Sequence, residues 1–82
     1  MKENYFEEIK TRFIEAAMRT NDNAKEKDVE RNHVNYGCCT CWGQVLRDMG
    51  HKTDVPVWED NGVLKIPFLS IDGQKIINFE NN

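Results

Sequence analysis

No stretch of this 82-residue chain approaches the run of about 20 apolar residues that a membrane-crossing helix needs, so no such helix is expected. A basic excess is missing too. Eleven Lys and Arg against 14 Asp and Glu leave a net charge of −3. Proteins that grip phosphate backbones draw affinity from Lys and Arg displacing counterions, so tight non-specific nucleic-acid binding is disfavoured, while a local basic face stays open. No Gly-rich phosphate loop, paired catalytic carboxylates or Ser-His-Asp arrangement can be assembled, and hydrolytic or nucleotide-dependent chemistry finds no support. The opening Met1-Lys2-Glu3-Asn4-Tyr5 carries no apolar run of the kind a secretion signal has. Cysteine is absent outside residues 38–41, where three occur. An odd, clustered count without a secretion signal predicts a reducing, cytoplasmic setting and not a disulfide-stapled fold.

What is present reads as one small domain spanning 1–82. A hydrophobic share of 39% beside 30% charged residues is enough to argue against wholesale disorder. Residues 3–20 form the best helical pattern, with Phe6, Ile9, Phe13, Ile14, Ala17 and Met18 on one face, and Thr20-Asn21-Asp22-Asn23 reads as its stop. Residues 24–36, with only Ala24, Val29 and Val34 as aliphatics, read as a short exposed helix or a loop that Gly37 ends. Helical spacing returns over 39–49, where Cys38, Cys41, Trp42, Val45, Leu46 and Met49 share a face and Gly50 supplies the stop. The period then changes. Glu59-Asp60-Asn61-Gly62 is a hairpin signal between Val55/Val57 and Val63-Leu64-Ile66, and Asp72-Gly73 is a second one before Ile76-Ile77-Phe79. Pro56 and Pro67, lacking a backbone donor, belong at strand edges or bends. The expected class is α+β: N-terminal helices followed by a three-stranded antiparallel β-meander.

Helices followed by a hairpin, with the run Trp42 to His51 leading to the turn at Asn61-Gly62, resemble a winged helix-turn-helix over roughly residues 38–71. The resemblance implies a recognition helix and a wing. Thr40, Gln44 and Arg47 would project from the helix, with Lys52 just beyond it and Trp58 beside the wing turn, as the candidate partner contacts; Lys65 would add a cation to the wing. Acidic Asp48, Glu59 and Asp60 sit close by and would repel phosphate, so a protein partner suits the same surface.

The cluster Cys38-Cys39-Thr40-Cys41 admits three explanations. Free cysteine packs like a small hydrophobe, so the cluster is first a candidate for core packing. Second, Cys38 and Cys41 form a C-x-x-C pair at an expected helix start, where the helix dipole would favour a thiolate at Cys38. Together with Ile66-Pro67 and Ile71-Asp72-Gly73 this is similar to glutaredoxin-like proteins. That resemblance implies Cys38 as nucleophile, Cys41 as resolving thiol and Pro67 as a cis-proline beside them. The chain leaves no room for a crossover helix between Val57 and Gly62, however, and parallel strands need one. Third, His33, Cys38, Cys41 and His51 offer an N2S2 donor set that zinc accepts, though only one close ligand pair exists.

The sequence therefore favours a non-enzymatic binding module of winged-helix type without a cofactor. It would act as a regulator or inhibitor on nucleic acid or on a protein of the nucleic-acid machinery. A glutaredoxin-like thiol–disulfide protein is the alternative. Frequent Asn, Lys and Ile fit an A/T-rich, phage-like coding source.

Overall fold

A computed structural model describes residues 2–80, with side chains from residue 5 onward. Two long helices form an antiparallel hairpin, α1 (Lys2–Glu26) and α2 (Val29–Asp48), followed by five short strands: β1 (Thr53–Asp54), β2 (Trp58–Asp60), β3 (Val63–Lys65), β4 (Phe68–Ile71) and β5 (Gln74–Asn78). The α+β class holds. Among the described residues no helix is long and apolar enough to cross a membrane.

The helices differ from expectation in number and length. Thr20-Asn21-Asp22-Asn23 does not stop α1, because Asn21 and Asn23 bond to other elements and Thr20 bonds back within the helix without breaking it. Thr20 Oγ1 donates back to Ala16 O at 2.8 Å, Asn21 reaches Ile66, and the Asn23 amide meets that of Asn35 on α2 at 2.6 Å. The actual break falls at Lys27, which takes a left-handed φ of 58°, and at Asp28, whose carboxylate caps α2 by accepting from Arg31 N at 3.2 Å. The stretch 24–36 and the segment 39–49 are thus not separate elements. From Val29 onward they are one helix that runs through Gly37. The end of α2 is as expected: Gly50 has φ 99°, and Gly50 N and His51 N donate back to Arg47 O and Leu46 O.

Gly37 sits inside this helix with nothing within 4 Å of where a Cβ would stand. Gly37→Ala should then stabilise the protein by about 0.5–1 kcal/mol, through lower backbone entropy in the unfolded chain. Urea denaturation checks this, and a lower midpoint for the alanine variant would show that the helix is strained there.

Both hairpin turns fall where the sequence puts them. Asn61-Gly62 (φ 55° and 89°) joins β2 to β3, and Asp72-Gly73 (φ 53° and 84°) joins β4 to β5. Positive φ at both central positions matches the twist of the flanking strands. The single meander does not form. The strands divide into a three-stranded antiparallel sheet, order β1-β4-β5, and a separate β2–β3 hairpin inserted between β1 and β4. Pro67 lacks the donor needed to carry the ladder onward, and the backbone of Ile66 is taken by Asn21 (Nδ2 to Ile66 O and Ile66 N to Oδ1, both 2.9 Å).

The core lies where the helical hairpin meets the larger sheet: Ile9, Phe13, Ala16 and Ala17 of α1, Cys39 and Leu46 of α2, and Ile66, Leu69 and Ile71. Arg47 fastens β1 to α2, its Nε donating to Thr53 Oγ1 at 3.0 Å and its Nη2 to Thr53 O at 2.9 Å.

Candidate functional site

The isolated β2–β3 hairpin is too short to hold itself in water, and its position is fixed by side chains of the helices. In a strand the N–H and C=O of alternate residues face the same edge. On β3 the edge away from β2 exposes the polar groups of residues 62, 64 and 66. Each meets a helix side chain. His33 Nε2 donates to Gly62 O at 2.8 Å. Asn32, fully buried on α2, donates Nδ2 to Leu64 O at 2.9 Å and accepts Leu64 N at 2.7 Å, and the same Nδ2 donates to Thr20 O at 2.8 Å. Asn21 serves Ile66 in the same way. A pair of asparagines and a histidine therefore replace a neighbouring strand.

This anchoring presents Trp58 on β2 with 55% of its surface exposed. Beside it lies a cavity of about 410 Å³. Its floor is Ile66 and Pro67, and α1 contributes Met18, Asn21, Ala24 and Lys25. Phe79 and Glu80 close the far side, where Phe79 N donates to Pro67 O at 2.8 Å. Met18 is 47% exposed, so two large apolar side chains flank one concavity. Charges at its rim are mixed. Lys65 Nζ pairs with Asp60 Oδ2 at 3.1 Å, and Asp22, Lys25 and Glu80 also contribute to the lining.

The five expected contact residues do not converge. Thr40 and Gln44 are exposed on α2, as expected, but Thr40 Oγ1 donates to Gly37 O (3.0 Å) and Gln44 Nε2 to Asp48 Oδ1 (3.1 Å). Arg47 is turned onto Thr53. Lys52 is exposed, and its backbone N donates to Asp72 Oδ1 at 2.9 Å. Trp58 lies apart from them, in the cavity whose helical wall is α1. Lys65, the expected wing cation, is beside it.

Met18, read from the sequence with the core face, is exposed and lines the cavity, and the sequence holds the signal for this. Nine residues at about 100° each place it roughly half a turn from Ile9, on the side of α1 away from the core. Phe79 carried no such signal.

The cysteines separate. Cys39, which no specific role singled out, is the one in the core, with Sγ 3.7 Å from Phe13 O. Burial, and secondarily Cys38 beside it, pushes its thiol up to about 12. Cys38 is half-buried and Cys41 is exposed, and all three are free thiols. The C-x-x-C pair is not at a helix start: Val29 opens α2, so Cys38 lies more than two turns inside. The dipole argument for a thiolate at Cys38 therefore does not apply, since that field fades within the first turn. Pro67 is buried on the cavity floor, and no cis peptide bond occurs among the described residues.

The residues proposed for zinc are not brought together. His33 is held by the β2–β3 turn, whereas His51, past the other end of α2, bonds Asp72 (Nδ1 to Oδ2, 2.7 Å) and stacks near Phe6 at 4.6 Å. The His51 bond, then that from Lys52 N, holds the Asp72 carboxyl below its ordinary range. No group of three or more His, Cys, Asp or Glu suited to a metal occurs among the described residues.

Comparison of the chain with protein-family models, with curated proteins and with solved structures finds no match.

Proposed function

We propose that this protein is a non-enzymatic binding module that takes a large apolar side chain of a partner protein into the cavity beside Trp58. The carrying observation is the pairing of exposed Trp58 with Met18 across a concavity floored by Ile66 and Pro67. Tryptophan beside a desolvated pocket is the residue type that most often dominates protein interfaces, and large exposed apolar groups gathered at one place mark contact sites. In terms of the winged-helix resemblance, the wing and not the recognition helix supplies the contact. Nucleic acid is the less favoured partner. Arg47 and Gln44 are committed to Thr53 and Asp48, and the cavity has no basic excess, since Lys25 and Lys65 in its lining are matched by Asp22 and Glu80. A regulator or inhibitor acting by occupying a partner's surface is the role that suits such a module. The glutaredoxin-like alternative has less support, because its dithiol lies in the middle of a helix.

A random-peptide display selection against the folded protein tests the site. Enriched peptides should share a large apolar residue, and Trp58→Ala should weaken them about 30-fold or more, in line with a loss of about 2 kcal/mol at an interface tryptophan. Gln44→Ala should leave them unchanged. Peptide binding indifferent to Trp58→Ala, or oligonucleotide binding at physiological salt that depends on Gln44 and Arg47, would sink the proposal.

A further inference from the structure

From residue 34 to residue 46, α2 carries no charged side chain, although much of this stretch faces solvent. Within it Cys38 and Cys41 stand three residues apart on neighbouring rows of the helix, Cys38 half-buried at the edge of the Phe13–Leu46 core and Cys41 exposed. Cys39, between them in sequence, points into the core toward Phe13 O. The structure thus offers a pair of thiols one helical turn apart, one exposed and one half-buried beside it.

Geometry decides what such a pair can do. Helix residues three apart hold their Cβ atoms about 5–6 Å from each other, while a disulfide draws them to about 3.5–4.5 Å. Closing the bond would distort α2 in its middle. A metal ion needs no such distortion, since two metal–sulfur bonds of about 2.3 Å end to end span roughly 4–5 Å. Zinc asks for four ligands, and among the described residues no third His, Cys, Asp or Glu joins the pair. The ion that fits is soft and content with two thiolates, and the neighbourhood offers no carboxylate or imidazole to recruit a harder one.

We propose that Cys38 and Cys41 form a two-coordinate site for Cu(I). One Cu(I) binds both sulfurs, two Cu–S bonds form and two S–H bonds break. Two protons leave to solvent, and copper keeps its oxidation state. Cys39 takes no part, because its thiol is buried and held protonated.

Anaerobic titration of the reduced full-length chain with Cu(I), against a chromophoric Cu(I) chelator, tests the site. The expected result is one copper per chain with thiolate-to-copper absorption in the near ultraviolet. Cys38→Ser and Cys41→Ser should each abolish binding with far-ultraviolet dichroism unchanged, and Cys39→Ala should retain it. Should Cys39→Ala not fold, alkylation of the native wild type supplies the same contrast. Mass spectrometry should place the label on Cys38 and Cys41, leave Cys39 free, and copper uptake should vanish. Failure to compete with the chelator, full uptake in Cys41→Ser, or one copper per two chains would each overturn the proposal.

Discussion

Asn32→Ala should lower the stability of this protein by about 3–5 kcal/mol, against a total of roughly 4–12 kcal/mol for a domain of this size. The side chain is fully buried and makes three hydrogen bonds to backbone, with Leu64 N, Leu64 O and Thr20 O. Truncation leaves the donor and acceptor of half-buried Leu64 facing the enclosed space that the buried amide vacated, and each such orphan costs about 1–3 kcal/mol. Thr20 O suffers less, because a carbonyl inside a helix also accepts from the residue four positions on. Asn21 is the internal control. It makes the same fork onto Ile66 but is only half-buried, so water can take over those groups and Asn21→Ala should cost about 1–2 kcal/mol. Urea denaturation, with a shifted midpoint and an unchanged slope, measures both. An Asn32→Ala loss under 1 kcal/mol, or equal losses at the two asparagines, would show that the hairpin is held by its apolar contacts instead. The bond matters for function because the same anchoring sets Trp58 over the cavity.

That asparagine also explains where the sequence stopped being legible. Hairpin turns are local, and Asn61-Gly62 and Asp72-Gly73 announce themselves because two successive positive φ values admit few residue types. The first half of α2 is not local in this sense. Its buried residue is Asn32, while Val29 and Val34 are exposed, so apolar periodicity there points the wrong way. Its helical state depends on packing against α1 and β3, and no window of its own sequence contains that. The seam near the α1–α2 turn is largely polar, with Ala24 the buried aliphatic beside it. Thr20, Asn23 and Asn32 are buried, and Arg19 Nε donates to Asn35 Oδ1 at 3.1 Å. Polar residues that read as a helix stop thus serve as interior packing. The candidate site was half legible: Trp58 stood out beside its turn, whereas its cavity required the hairpin to leave the sheet at Ile66-Pro67. The cysteines divide by helical phase: Cys39 faces fully inward, Cys38 packs half-buried at the edge of the core, and Cys41 faces out.

Phe13→Ala should cost about 3–5 kcal/mol, the range for deleting a fully buried aromatic ring. Collapse around the gap is opposed by the helix crossing itself, because Phe13 packs where α1 meets α2 at Gly43. A Cβ on Gly43 would stand 3.2 Å from Phe13 Cε1 and 3.5 Å from Thr53 Oγ1. The glycine is therefore a close-approach residue, and its hydrogen atom leaves room for the ring. Alanine at 43 gains about 1 kcal/mol of helix propensity. Against that gain, it presses on a ring with no exposed edge and on a threonine that Arg47 already grips from the other side. Gly43→Ala alone should accordingly destabilise. Phe13→Leu removes the atoms that the new methyl would meet, so in that background Gly43→Ala should become neutral or stabilising. The double variant should exceed the sum of the single changes by about 1 kcal/mol or more, a coupling expected only between side chains in contact. Additive losses in a denaturation cycle would mean that the crossing is looser than the distances require. A coupled result would establish that one missing Cβ sets the spacing of α1 and α2, and through Thr53 the seat of β1 on the helical hairpin.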